Sequence, residues 1–199
     1  MNQVVDEELL KRFAEGDANA FKLLYSRHKG GLYRYFLRQL HDQQLAEDLF
    51  QDTWGKVIAN ADSFEPNAKF STWLYKMARN RIIDQVRHLQ VVSNVISDAE
   101  HDSDFENTPN QGLQNTPENL LQTEKQKMLL KECMQSLPVK LLEAFLLKEE
   151  STMSVKQIAE VIDLSYEATK SRLRYSYAHL KTCLTKKMPD WAISGANNG

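Results

Sequence analysis

Hydrophobic residues recur along most of the chain at steps of three and four positions, the spacing of one face of an α-helix. No segment shows the two-residue alternation of a half-buried strand, and no internal repeat is evident. Good helix formers such as Leu, Lys, Glu, Gln and Ala are plentiful, whereas 7 Gly and 5 Pro are few for 199 residues. The pattern therefore predicts an all-α protein.

Two consecutive helices are predicted after Asp17, a residue type that favours the N-cap position. The apolar positions of the first helix follow helical spacing as far as His28. Gly30 and Gly31 then predict a break or kink, because glycine weakens a helix interior. The second helix continues to about Leu40.

A third helix is predicted from Leu45 to Ala59, and a fourth begins near Phe70. The apolar positions of the third helix that are expected to be buried are Leu45, Leu49, Val57 and Ile58. The corresponding inward positions of the fourth helix are Phe70, Trp73, Leu74, Met77, Ile82 and Val86.

The helical pattern is interrupted between Val91 and Thr123, a stretch rich in Asn, Asp, Ser, Gln, Thr and Pro. From Ser97 to Glu124 there are seven carboxylates and no Lys or Arg. We therefore expect a flexible, disordered acidic linker between two small helical domains. The expected boundaries are a domain at 5–90, the linker at 91–121, a domain at 122–187 and a tail at 188–199.

The C-terminal domain carries the pattern of a helix-turn-helix. Ser154 and Gln157 form a capping box at the start of a short helix, and Ser165 caps a longer helix after a three-residue turn. On the longer helix, the positions expected to face inward are Thr169, Leu173, Leu180 and Leu184. The positions expected to project together are Glu167, Lys170, Ser171 and Arg174.

Taken alone, the formal net charge of -2 argues against nucleic-acid binding, but it conceals a strong segregation of charge along the chain. The segment from Lys69 to Arg87 contains five basic residues and one acidic residue. The segment from Tyr166 to Lys187 contains six basic residues and one acidic residue. Two basic blocks therefore flank the acidic linker.

The basic face of the fourth helix has two interpretations. Its polar residues, opposite the apolar face, are Lys76, Arg79, Asn80 and Arg87, and the preceding loop supplies Phe64, Asn67 and Lys69. Spacing alone is equally compatible with a solvated charged face. The loop favours a surface that holds backbone phosphates and receives an unstacked base.

The third helix has the opposite charge, with Asp48, Gln51 and Asp52 on one exposed ridge. A carboxylate pair can perform acid/base catalysis, but no His, Cys or Gly-rich phosphate loop accompanies it to build a pocket. The ridge is therefore interpreted as a protein-binding surface, and an enzyme is not expected.

Cys133 and Cys183 are too few and too far apart in sequence to suggest a disulfide scaffold, so both are expected to be reduced and half-buried. His179 and Cys183 have a spacing that suits a metal, but no second ligand pair is evident, and neither metal nor cofactor is expected. The start of the chain lacks the features of a secretory signal, and its apolar runs are shorter than the roughly 20 residues of a membrane span. A cytoplasmic location without membrane insertion is expected.

Five blocks, in this order and spacing, resemble the sigma-70 family in its shortest, extracytoplasmic-function form. They are DANAFKLLYSRHKGGLYRYFLRQL, AEDLFQDTWGKV, FSTWLYKMARNRIIDQVR, SLPVKLLEAFLL and QIAEVIDLSYEATKSRLRYSYAHLK. The resemblance implies sigma domain 2, with a helical bundle, and sigma domain 4, with the helix-turn-helix. It also implies core RNA polymerase and promoter DNA as partners, and an anti-sigma factor as a further candidate.

The resemblance assigns expected roles to the candidate residues. Asp48, Gln51 and Asp52 would dock on the polymerase clamp helices. The fourth helix and its loop would bind the melted nontemplate strand of the −10 element through Phe64, Asn67, Lys69, Lys76, Arg79, Asn80 and Arg87. The last helix would read the −35 element through Glu167, Lys170, Ser171, Arg172, Arg174 and Tyr175.

An alternative is an autonomous helix-turn-helix regulator that binds an operator without acting as a polymerase subunit. Such a protein usually needs a dimer surface and enough positive charge to bind DNA unaided, and the chain shows neither a heptad seam nor a net positive charge. Initiation by core polymerase in the presence of the pure protein separates the two functions.

Overall fold

The computed structural model describes residues 4–65, 68–96 and 117–188, which form eight α-helices and one 3₁₀ turn and contain no strand. In chain order they are α1 (Asp6–Ala14), α2 (Ala18–Leu40), α3 (Gln43–Ala59), the 3₁₀ turn (Ala61–Ser63), α4 (Phe70–Ile96), α5 (Pro117–Gln135), α6 (Val139–Ser151), α7 (Val155–Ile162) and α8 (Tyr166–Lys187). The all-α prediction is confirmed. Among the helices of the described chain, none combines the length and apolarity that a membrane span needs.

The predicted break at the paired glycines is wrong, because α2 continues through both of them. Asp17 caps this helix as predicted, accepting hydrogen bonds from the amides of Asn19 and Ala20. Gly31 serves a close approach instead, since a Cβ atom there would lie 2.2 Å from the backbone oxygen of Glu150 on α6.

Helix α1 was not predicted. It is anchored by Leu9 and Leu10, which are fully buried, and it packs against α2, the 3₁₀ turn and the start of α4. Its first turn contains Asp6 and Glu7, a favourable position for carboxylates at the positive end of a helix dipole.

Helix α3 starts two residues earlier than predicted, because Asp42 caps it through the amide of Leu45. Leu49 and Val57 are buried as expected, and Leu45 is partly buried. Ile58 is 49% exposed, so its predicted burial is wrong. Its side of the last turn faces solvent.

Helix α4 begins at Phe70 as predicted but extends to Ile96, and α5 begins at Pro117, so helices enter the predicted linker from both ends. Proline is well tolerated in a first helical turn, so Pro117 opens a helix here. Along α4, Val86 is 43% exposed rather than inward, whereas Tyr75 is buried although the apolar pattern did not include it. The remaining linker residues, 97–116, and the tail from residue 189 lie outside the described residues.

The C-terminal unit contains the predicted helix-turn-helix. Ser154 and Gln157 form the capping box of α7, and Ser165 accepts a hydrogen bond from the amide of Ala168 to cap α8. Asp163 ends α7 in the left-handed conformation. The predicted inner positions of α8 are confirmed for Thr169, Leu173 and Leu180, which are buried, and Leu184 is partly buried.

The expectation of two reduced cysteines is wrong, because Cys133 on α5 and Cys183 on α8 form a disulfide. Their 50-residue separation in sequence conceals the packing of α5 against α8, which brings the two sulfur atoms together. Cys133 is buried and Cys183 partly so. With its sulfur bonded, Cys183 is not available to join His179 in a metal site.

The N-terminal helical unit, α1–α4, packs against the C-terminal helical unit, α5–α8. Helix α6 lies on α2, and α7 lies on α4. The surfaces that the sequence assigns to nucleic acid therefore belong to two units in direct contact.

Candidate nucleic-acid interface

The polar face of α4 is largely solvent-exposed, as predicted. Lys76, Asn80 and Arg87 are all exposed. Before the helix, 65% of the Lys69 side chain is exposed, and the half-buried ring of Phe64 packs edge-on against Trp73 with centroids 5.2 Å apart. Asn67 lies outside the described residues.

Arg79 differs from the other members of this face because it is already engaged. Its Nε donates a hydrogen bond of 2.9 Å to Oε1 of Glu143 on α6, and only 24% of its side chain is exposed. This predicted DNA-contacting cation therefore spans the boundary between the two units.

The outer face of α8 is also exposed, with Glu167, Lys170, Arg174 and Tyr175 in solvent and Ser171 partly buried. The Arg174 guanidinium lies over the ring of Tyr175, 5.2 Å from its centroid. Arg172 is less accessible, at 19% side-chain exposure, and lies 3.8 Å from Oε2 of Glu143.

Glu143 therefore contacts one arginine from each predicted DNA-binding helix. It sits between Arg79 of α4 and Arg172 of α8, with 15% of its side chain exposed. Sequence inspection missed this residue. The only local signal was the seven-residue step between Glu143 and Glu150, which places two carboxylates on one face of α6 two turns apart.

Glu150 forms the second ionic contact between the units. Its carboxylate accepts hydrogen bonds from Arg34 Nε, at 2.7 Å, and from Arg38, both on α2, and only 4% of its side chain is exposed. Its backbone oxygen accepts a 3.1 Å hydrogen bond from the hydroxyl of Tyr75. Burial, followed by the nearby Glu150 charge, raises the pKa of Tyr75, so the hydroxyl keeps the proton that it donates.

The acidic ridge of α3 is exposed as predicted, with Asp48, Gln51 and Asp52 all in solvent. The same helix places Phe50 and Trp54 inward, where their rings pack edge-on against Tyr25 at 6.2 and 4.9 Å. An aromatic cluster thus packs beneath the ridge, on the inner side of α3.

The start of α4 is held by α1. Glu7 Oε1 accepts a 3.0 Å hydrogen bond from the amide of Phe70 and lies 3.7 Å from Lys69 Nζ. Its neighbour Asp6 forms 2.6 Å hydrogen bonds with Arg27 and His28 of α2. Burial raises the pKa of Asp6, but the bonds with His28 and Arg27 outweigh it, and the pKa lies below its ordinary value.

Two sequence models match successive parts of the chain. A model of sigma-70 region 2 matches residues 24–91, and a model of sigma-70 region 4 matches residues 127–180. Among curated relatives, the chain is 28% identical over 183 residues to the ECF RNA polymerase sigma factor SigK of Mycobacterium sp. (strain KMS), covering 88% of this chain and 89% of SigK. It is 35% identical over 85 residues to the ECF RNA polymerase sigma factor SigW of Bacillus subtilis, covering 43% of this chain and 46% of SigW.

Two solved structures share the fold at 22% sequence identity. One is the sigma factor RpoE in complex with the anti-sigma factor NepR from Bartonella quintana, with a TM-score of 0.66 over 83% of this chain and 96% of that one. The other is CnrH in complex with the cytosolic domain of CnrY, with a TM-score of 0.64 over 91% of this chain and 97% of that one.

Proposed function

The chain belongs to the sigma-70 family, in its extracytoplasmic-function class, and from this premise we propose that it directs core RNA polymerase to specific promoters. The observation that carries the proposal is the placement of exposed cations on two helices, α4 and α8, one in each matched region. The protein would perform no catalysis, act in the cytoplasm and leave RNA synthesis to the polymerase.

Each basic helix has its own role in the proposal. The exposed side chains of α8 bind the −35 element as duplex, because Lys, Arg and Ser can reach base edges and phosphates in the major groove. The α4 face and its loop bind the nontemplate strand of the −10 element, where cations hold phosphates and Phe64 and amide groups receive unstacked bases.

Two of the proposed DNA contacts require an exchange of partners. Arg79 and Arg172 both face Glu143, so phosphates must compete with this carboxylate for them. The shared contact with Glu143 also keeps Arg79 of α4 close to Arg172 of α8. Promoter elements about 25 base pairs apart, in contrast, lie about 85 Å apart along a duplex at 3.4 Å per step. Promoter binding therefore separates the units. An anti-sigma factor is a candidate partner for the packed form.

The first test is transcription initiation. Purified protein is added to core RNA polymerase with a library of random DNA fragments, and the 5′ ends of the transcripts are sequenced. We expect transcripts that share two upstream elements and that depend on the protein. Binding to particular DNA fragments without any stimulation of initiation would instead indicate the autonomous regulator.

The second test concerns the α3 ridge. Asp48→Lys combined with Asp52→Lys replaces attraction to a basic protein surface by repulsion, and we expect association with core polymerase to fall at least tenfold. The matched control is Glu8→Lys with Glu15→Lys, which makes the same charge change at exposed positions in α1 and at its C-cap. Equal affinity of both variants for polymerase would place the docking surface elsewhere.

The third test separates the two DNA surfaces. On a promoter opened beforehand as a bubble, Asn80→Ala should weaken strand binding, whereas Arg174→Ala should have little effect. On the closed duplex, Arg174→Ala should cost about 1–3 kcal/mol of binding free energy and relax preference at the −35 element. The opposite ranking would reverse the assignment of α4 and α8.

A further inference from the structure

Helix α1 lies before residue 24, where the region 2 match begins, yet it supplies a bond to the surface proposed to bind the −10 strand. The amide of Phe70 is one of the first backbone donors of α4, which have no acceptor within their own helix. Glu7 accepts this hydrogen bond from 63 positions away in the sequence. A side chain of α1 thus does for α4 what an N-cap residue usually does for its own helix.

The same carboxylate fixes the end of the strand-binding loop. Lys69 is the last loop residue before α4, and its ammonium lies 3.7 Å from Glu7. Phe70 is fully buried and its ring packs against His28 and Trp73, while Trp73 packs in turn against Phe64. Contacts therefore connect Glu7 to Lys69 directly and to Phe64 through Phe70 and Trp73.

Glu7 is itself held rigidly. The neighbouring Asp6 is bonded to Arg27 and His28 of α2, and Leu9 and Leu10 anchor the helix in the core. About 20% of the Glu7 side chain is exposed. A carboxylate in a first helical turn is often explained by the helix dipole alone, and that explanation suits the exposed Glu8. It does not account for a hydrogen bond to another helix.

We propose that Glu7 is a positioning residue for promoter opening: by capping α4 from α1, it holds Lys69 and, through Phe70 and Trp73, the ring of Phe64 in the geometry that receives the unstacked −10 strand. The inference rests on the proposed function, because it concerns the −10 surface of a promoter-binding protein. Glu7 does not touch DNA and acts through the amide of Phe70.

The experiment uses the full chain with core RNA polymerase and a promoter selected by that holoenzyme. Glu7→Ala removes the cap, Glu7→Gln keeps an oxygen acceptor for the Phe70 amide, and Glu8→Ala is the matched control in the same turn. Affinity is measured for the promoter opened as a bubble, for a −35 duplex fragment and for core polymerase. Amide hydrogen exchange at Phe70 reports directly on the cap.

We expect Glu7→Ala to bind the bubble about fivefold more weakly, a factor typical of a lost helix cap, and to show faster exchange at Phe70. Its affinities for core polymerase and the −35 duplex should stay unchanged. Glu7→Gln should restore bubble binding, and Glu8→Ala should resemble the original protein.

Three outcomes would overturn the inference: a Glu7→Ala variant that binds the bubble as tightly as the original protein, one that loses all three affinities equally, or a Gln variant that rescues nothing. A failure of the proposed function looks different, because the unaltered protein would then not support initiation at all.

Discussion

The paired glycines of α2 offer a matched test of the contact between the two helical units. Gly30→Ala and Gly31→Ala make the same chemical change at adjacent positions within one helix. Each substitution should favour the helix by about 0.8–1 kcal/mol, because alanine has a higher helix propensity than glycine. The two variants therefore differ mainly in what the added methyl group meets.

At Gly30 the new Cβ would lie 3.2 Å from the end of the Arg34 side chain, which is flexible and can move aside. At Gly31 it would lie 2.2 Å from the backbone oxygen of Glu150. Restoring an ordinary contact requires α2 and α6 to separate by about 1 Å. That displacement would stretch the bond from Arg34 on α2 to Glu150, now 2.7 Å, beyond the limit for a hydrogen bond.

Hydrogen bonds to charged groups contribute about 1.5–3 kcal/mol, and solvent screening of the half-exposed arginines reduces this figure. We therefore expect Gly31→Ala to weaken the contact between the units by about 2 kcal/mol, a shift of roughly thirtyfold towards separated units.

Small-angle X-ray scattering measures the radius of gyration of each variant, and thermal unfolding measures its stability. Gly30→Ala should be as compact as the original protein and at least as stable, whereas Gly31→Ala should be expanded. If Gly31→Ala is as compact and as stable as Gly30→Ala, the close contact at Glu150 does not hold the units together.

Three further predictions follow from individual contacts. Glu150→Ala should expand the protein and make its compactness less sensitive to salt, whereas the same change at the exposed neighbour Glu149 should not; equal scattering curves would contradict this. Asp6 has a lowered pKa, so its contribution to stability should be complete above the ordinary value of 3.8 and be lost as the pH falls below it. The free energy of unfolding measured in urea should be about 1 kcal/mol lower for Asp6→Asn than for the original protein at neutral pH, and this difference should shrink in acid. A pH-independent difference would refute the stabilising role of the ionised Asp6. Reducing Cys133–Cys183, which closes a loop of 50 residues, should destabilise α5–α8 by about 4 kcal/mol and leave α1–α4 unaffected; unchanged denaturant unfolding under reductant would count against this.

Local chemistry was predictable from the sequence. Capping at Asp17, Ser154 and Ser165 depends on side chains within three residues of the amides they accept from, and the structure confirms all three. Exposure of the α3 ridge and of the outer face of α8 follows from helical periodicity in the same way. These features need no knowledge of what packs where.

Contacts between distant parts of the chain were not predictable. The pairings of Glu150 with Arg34 and of Glu7 with the Phe70 amide span 116 and 63 positions. Periodicity shows which face of a helix is apolar but not which other helix covers it. For this reason the sequence pattern indicates a helix break at Gly31, whereas in the structure its missing side chain makes room for α6. The disulfide escaped prediction for the same reason.

The position of α6 in the chain order has a consequence during protein synthesis. Helices α1–α4 and then α6, with its Glu150, leave the ribosome before α7 and α8. At about 5–20 residues per second, residues 151–187 take about 2 to 7 s to be made. Helix formation takes about 0.1–1 μs, and docking of one helical unit on another takes milliseconds or longer. The contact between Glu150 and α2 can therefore form on the nascent chain once α6 has emerged from the ribosome and before α8 emerges, so that each new molecule would be packed from the start and meet its first promoter only after opening.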